Sequence, residues 1–309
     1  MSQKNFEGLK RLLNSYMECL YEVIEKTYSS CDEASILVEF INNSIDLFPE
    51  KNNIDVVIHS ISGTILLNSF KLTQWISFEI LCGKYFEAMR DLRFIFEGCV
   101  YGSLIEDLIE KKILKRLGRL DLKAEIFRLL EKCQEKHVYD KKKNKVDRKK
   151  VRKIIEEFIR SLGLSPAEKK KHVKLYTEIL SQPKLYSSMG SLIEGFCNSI
   201  GIEEEEEKKG LVELWHKLSQ YQHFSYPYLE VACEKPELIF LEEFDEELFK
   251  LTLDSYFKTL DFFYAVLAWK FPELGDKIAK MSEWWRKNFK KLTLTEKVLE
   301  RKRFKVRYN

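Results

Sequence analysis

Apolar residues recur along most of this chain at the three-and-four spacing of helices, and the predicted elements follow from where that rhythm starts and stops. Phe6, Leu9, Leu13, Tyr16 and Leu20 open a first long helix, and Cys31-Asp32-Glu33 with Ala34 begins a second that runs to about Leu47. After a loop at 49–53, residues 54–68 are apolar and rich in β-branched side chains. A buried helix and a strand both fit them, and their length favours helix. The strongest helical stretch is 70–110. In it Phe86, Arg90, Arg93, Glu97, Val100 and Leu104 share one face, and Tyr85, Met89, Leu92 and Phe96 share the next. A helix apolar on most sides is expected to be central. Gly98 and Gly102 form a small-residue step that lets a neighbouring helix approach closely.

From 111 to 180 the apolar stripe thins and charge density rises. Ile154, Ile155, Phe158, Ile159 and Leu162 still mark an amphipathic helix stopped near Gly163, and Ser165-Pro166-Ala167-Glu168 predicts the start of the next. Apolar character returns over 185–202. The acidic run Glu203 to Glu207 opens a helix that carries Leu211 to Phe224 and that Pro227 stops. Residues 244–269 predict a long aromatic-rich helix ended by Pro272. Residues 277–308 begin as an amphipathic helix (Ile278, Met281, Trp285, Phe289, Leu292) and end as a basic tail, RKRFKVRYN. With 12 Gly, 6 Pro and no Asn-Gly or Asp-Gly pair, hairpins are not signalled. The expected fold is an all-α helical bundle: residues 1–110 and 181–290 as a single-domain core, 111–180 as a charged helical insertion, and 291–309 as a basic tail.

Composition narrows the class. Hydrophobic residues at 45% and aromatics at 13% exclude a mainly disordered chain. The N-terminus lacks a secretory pattern, and the longest uncharged run, 56–70, is too short and too polar for a membrane span. Seven cysteines with no C-x-x-C pair suggest reduced, mostly buried thiols, so a cytoplasmic location without a membrane partner is expected. Abundant Lys and Glu with scarce Gln suits a thermophilic source, although seven cysteines point the other way.

Net charge is +3, but it is unevenly spread. Residues 136–153 hold ten Lys/Arg against two Asp, and residues 284–309 hold ten against two Glu, so each segment carries +8. The remainder carries −13, concentrated at Glu203 to Glu207 and Glu242 to Glu247.

Chemistry is suggested where polar groups continue apolar stripes. Leu211, Trp215, Ser219 and His223 fall at successive i, i+4 positions, and Arg93 and Glu97 interrupt another core-facing stripe. Such groups must find partners or carry a desolvation penalty, so the four polar residues are expected to meet. A His near neutral pH and an Arg able to grip phosphate would suffice for metal-free RNA cleavage by an internal 2′-hydroxyl. A buried structural network of the same Arg, Glu, Ser and His is the alternative. No phosphate loop, dinucleotide turn or nucleophile elbow occurs, and His216 and His223, seven apart, have no cysteine at ligand spacing. Neither metal nor cofactor is expected.

The pairing of GKYFEAMRDLRFIFE with a later LWHKLSQYQHFS resembles all-helical families related to the HEPN (higher eukaryote and prokaryote nucleotide-binding) superfamily. The resemblance covers about 70–102 and 211–227. It implies a helical bundle, commonly a homodimer, in which many members are metal-independent ribonucleases with an Arg and a His four to six residues apart on one helix. Counting back from His223, that position falls on Leu218, Lys217 or His216, of which Lys217 offers the cation. Lys is not equivalent to Arg for bidentate phosphate contact. Either Arg93 supplies the guanidinium or the site binds without cutting. The expected catalytic set is therefore His223 as acid and base, Arg93 or Lys217 on phosphate, Glu97 orienting Arg93, and Ser219 as a hydrogen-bond partner.

Cations interleaved with aromatics mark a separate surface for RNA or DNA. Its expected residues are Trp285, Arg286, Lys290, Arg301, Arg303, Lys305 and Arg307, with Lys142 and Lys149 as a second contact. A frayed terminus, or a contact with the acidic face of another subunit, would read the same way. The alternative to nucleic-acid binding is a non-catalytic scaffold assembling through its charged regions.

Overall fold

The computed structural model describes residues 3–42, 61–108, 120–221 and 243–307. Among them, twelve α-helices and one two-stranded hairpin make an all-α bundle, as the periodicity predicts. The helices are α1 (Gln3–Ser30), α2 (Glu33–Asn42), α3 (Ile61–Leu81), α4 (Tyr85–Leu108), α5 (Leu120–Glu135), α6 (Arg148–Arg160), α7 (Pro166–Leu180), α8 (Met189–Ser199), α9 (Glu205–Gln220), α10 (Glu246–Lys270), α11 (Gly275–Asn288) and α12 (Thr293–Arg307). Strands β1 (Tyr139–Asp140) and β2 (Lys145–Val146) pair antiparallel between α5 and α6. The described residues group into two compact units, one of 3–42, 66–97, 204–221 and 243–307, the other of 61–65, 98–108 and 120–203.

The first unit is organised by α10, whose side chains are buried on nearly every side from Leu248 to Ala268. Asp245 starts this helix by accepting from the Leu248 amide at 2.8 Å. The inward stripe of α4 is Tyr85, Ala88, Met89, Leu92, Ile95 and Phe96, and Phe96 stacks on Phe262 at 4.8 Å. Arg93 and Glu97 lie on its flank, while Phe94 is 62% exposed, so α4 is not buried all round. The buried stripe of α9 is Leu211, Leu214 and Leu218, with Trp215 and Ser219 half-buried beside it. The inward face thus runs one residue off the stripe that continues to His223 in the sequence, and His223 itself lies outside the described residues.

The chain end is not a tail as far as Arg307. It forms α12, which packs along α10 and against α11 with Val298 and Leu299 buried, and Leu292 just before it is buried too. Its first turn is capped from another helix: the Asp261 carboxylate accepts from the Leu294 amide at 3.0 Å and from the Thr295 amide and hydroxyl at 2.9 Å each. These donors are the ones a local N-cap would serve. A second interruption is local. Gly83 has φ +75°, its amide donates to Ile80 O, and the Lys84 amide donates to Glu79 O, so α3 closes with a left-handed glycine cap before α4 begins.

The second unit has its own core of Ile126, Leu129, Cys133, Val138, Val151, Ile155, Ile159, Tyr176 and Ile179, among others. The described part of the charged segment 111–180 lies within this unit. Helix α6 buries Val151, Ile155 and Ile159 at i, i+4 and i+8, and Ser165 and Glu168 form the reciprocal box at the start of α7. Gly98 lies against Ile65, where an added Cβ would meet Ile65 Cγ2 at 3.0 Å. The hairpin was not anticipated. Asp140 accepts from the amides of Lys142 and Lys143, and Asn144 adopts φ +46°, so a lysine-rich turn closes on Tyr139 and Val146.

Among the described residues no helix is long and apolar enough to cross a membrane. None of the six described cysteines is in a disulfide, and all but Cys19 are buried.

Candidate functional site

Arg93, Glu97 and Trp215 meet in the first unit. Glu97 Oε1 accepts from Arg93 Nε at 2.8 Å and from Trp215 Nε1 at 3.1 Å, and the Arg93 guanidinium carbon lies 5.8 Å from the Trp215 ring centroid. One carboxylate oxygen thus orients both the cation and the indole beneath it, and the contact joins residues 118 positions apart. Arg93 Nη1 is buried with no hydrogen-bond partner among the described residues. Trp215 is the member that reading the polar residues alone had missed; a half-buried indole N–H needs an acceptor.

The remaining expected members separate. Ser219 donates its hydroxyl to Trp215 O at 2.7 Å, a back-bond within its own helix, so that proton is already committed. Lys217 belongs to a different cluster. Its ammonium lies 3.9 Å from Asp254, which also holds Lys258 at 2.9 Å and Lys290 at 4.0 Å. Burial lowers the Lys217 pKa, Asp254 raises it, and the charge of Lys258 lowers it further. Lys217 therefore sits in a lysine–aspartate cluster on α9, α10 and the segment after α11.

A second carboxyl stands out that periodicity did not mark. Glu79 accepts from Trp75 Nε1 at 2.9 Å, yet burial, and next the nearby charge of Asp91, push its pKa up to about 7. Its other oxygen is buried with no partner among the described residues.

The two segments of equal positive charge differ sharply. Trp285, expected to stack on a base, is fully buried against Phe40, Trp284 and Phe257, so it belongs to the core. The cations around it are largely compensated. Arg286 and Lys291 approach Glu296 at 4.0 and 3.0 Å, Lys287 pairs with Glu283 at 2.9 Å, and Lys297 bridges Glu204 and Glu207. Lys290 lies over Phe289 at 5.0 Å, and Lys302 over Trp269 at 4.4 Å. Arg301 is half-buried, while the side chains of Arg303, Lys305 and Arg307 lie outside the described residues.

On the hairpin and α6, local structure uses up the acids instead. Asp147 caps α6 by accepting from the Lys149 and Lys150 amides at 3.0 and 3.1 Å, and Asp140 holds the turn amides. Lys141, Lys142, Lys145, Lys149 and Lys150 are exposed, and none has an ion-pair partner among the described residues. Of these, Lys145, Lys149 and Lys150 line a cavity of about 1050 Å³ between the hairpin, the start of α6 and Ser181 to Pro183, and Lys141 and Lys142 lie on the hairpin turn outside it.

No protein-family model, curated protein or solved structure matches this chain.

Proposed function

We propose that this protein binds nucleic acid, with RNA as the expected partner, through the β1–β2 hairpin and the first turns of α6. The observation that carries this reading is the contrast between the two basic segments: at 284–301 carboxylates and aromatic rings take up most of the cations, whereas at 136–153 the two Asp cap backbone amides, Asp140 pairs only with Lys143 at 3.7 Å, and Lys141, Lys142, Lys145, Lys149 and Lys150 have no ion-pair partner among the described residues. Uncompensated, exposed lysines on a fixed turn are suited to phosphate contacts, which supply sequence-independent affinity by counterion release. Lys142 and Lys149 fall on this surface. The HEPN-like resemblance supports the same partner class. Mobility-shift titration of labelled single-stranded RNA tests it: K142Q/K149Q weakens binding, and an unchanged affinity rejects this surface.

For Arg93, Glu97 and Ser219 we favour a structural network over a cleavage site. That reading is supported by Glu97 Oε1 serving both Arg93 and Trp215 and by the committed Ser219 hydroxyl.

A further inference from the structure

We propose that the cleft between α6 and α7 is a binding site for the phosphoryl group of a nucleoside monophosphate unit, either free or within a strand. The cleft encloses about 640 Å³, within the range of small-molecule sites. Arg148, Arg152 and Glu156 line it from α6 at i, i+4 and i+8, and Lys170, Lys174 and Glu178 line it from α7 at the same spacing. Residues 161–165 join the two helices, which pack side by side and therefore run antiparallel. The two plus-plus-minus stripes then face each other head to tail. Glu178 falls at the Arg148 end, Glu156 at the Lys170 end, and Arg152 and Lys174 share the middle.

Glu156 holds Arg152 Nε at 2.8 Å, which leaves the outer guanidinium donors to a ligand. Arg148, Lys170 and Lys174 have no ion-pair partner among the described residues. Four cations against two carboxylates leave a surplus of two positive charges, the complement of a phosphate monoester dianion. Val173, packed on the core of this unit, supplies an apolar wall, and Thr177 adds a hydroxyl that is buried without a partner among the described residues. Both helices are fixed at their starts by the caps Asp147 and Ser165, so the stripes are held in register before a ligand arrives.

Calorimetric titration of the full chain with AMP tests this. R152Q/K174Q weakens AMP binding by about tenfold or more, E178Q tightens it, and K209Q, on α9, leaves it unchanged. Adenosine, lacking the phosphate, does not compete. Because E178Q is expected to improve binding, misfolding cannot imitate the full pattern. Absence of AMP binding to the wild-type chain, equal binding by R152Q/K174Q, or adenosine binding as well as AMP overturns the proposal. In a parallel titration with short single-stranded RNA, a loss in R152Q/K174Q identifies a unit of a strand as the occupant, and no loss identifies a free nucleotide. Only this strand arm rests on the nucleic-acid reading, so AMP binding by a chain that ignores RNA would reject that reading and keep the cleft.

Discussion

Asp261 sets two effects of similar size against each other. Its carboxylate serves the first turn of α12 through three hydrogen bonds, which favour the charged form, yet burial outweighs them and moves the pKa from 3.8 up to about 6. A rise of that size corresponds to about 3 kcal/mol between the two protonation states. Because the folded-state pKa is raised, the folded protein holds this proton more tightly than the unfolded chain. The contribution of Asp261 to stability is thus largest below about pH 4 and is lost as pH rises through about 6. Substitution D261N keeps the shape and removes the charge. One oxygen still accepts from an α12 amide, and the loss of the other costs about 1–3 kcal/mol. At pH 7 that loss is offset by the burial penalty no longer incurred, so D261N is expected to match the wild type. At pH 4.5, where the folded wild-type carboxyl is protonated, D261N loses most of this advantage and becomes the less stable of the two by about 2 kcal/mol. Urea unfolding of both proteins at several pH values between 4.5 and 7.5 measures the difference directly. A wild-type-minus-D261N stability gap that stays constant, or that widens in favour of wild type as pH rises, would refute the claim that burial dominates the cap.

Two further substitutions probe the first unit. In G83A the methyl would lie 2.7 Å from Glu243 O on a backbone with φ +75°, so a loss of about 2 kcal/mol or more is expected by thermal melt; a neutral result would contradict the glycine cap. R93M leaves Glu97 with only the Trp215 donor and should lower stability by about 1–2 kcal/mol without changing RNA affinity; no stability loss, or a loss of RNA cleavage in EDTA, would refute the structural reading of that network.

What the sequence made legible is local. Ser165, Pro166 and Glu168 announced a helix start by residue type alone, and the stripe around Ile155 and Ile159 announced the buried face before it. Trp285 lies in phase with Ile278 and Met281, so its burial was readable from periodicity; its neighbours' charge drew it into a surface it does not reach. The hairpin was obscured because Asp140 and Asn144 build its turn inside a lysine run that reads as solvated helix. Non-local pairing was out of reach. Glu97 meets Trp215 and Lys297 meets Glu207 only through the packing of distant helices, and no spacing along the chain encodes which of two equally basic segments finds its counter-charges.

That last distinction is the central claim, and the salt dependence of RNA binding tests it most directly. Fluorescence anisotropy with a labelled single strand over a range of KCl concentrations gives the slope of log affinity against log salt for the wild type, K141Q/K142Q/K149Q/K150Q and R286Q/K290Q/R301Q. Removal of four phosphate-contacting lysines should flatten the slope by about 3 and weaken binding at low salt, whereas the C-terminal variant should keep the wild-type slope. Equal slopes for the wild type and the hairpin variant, with the loss appearing in the C-terminal variant instead, would contradict the account.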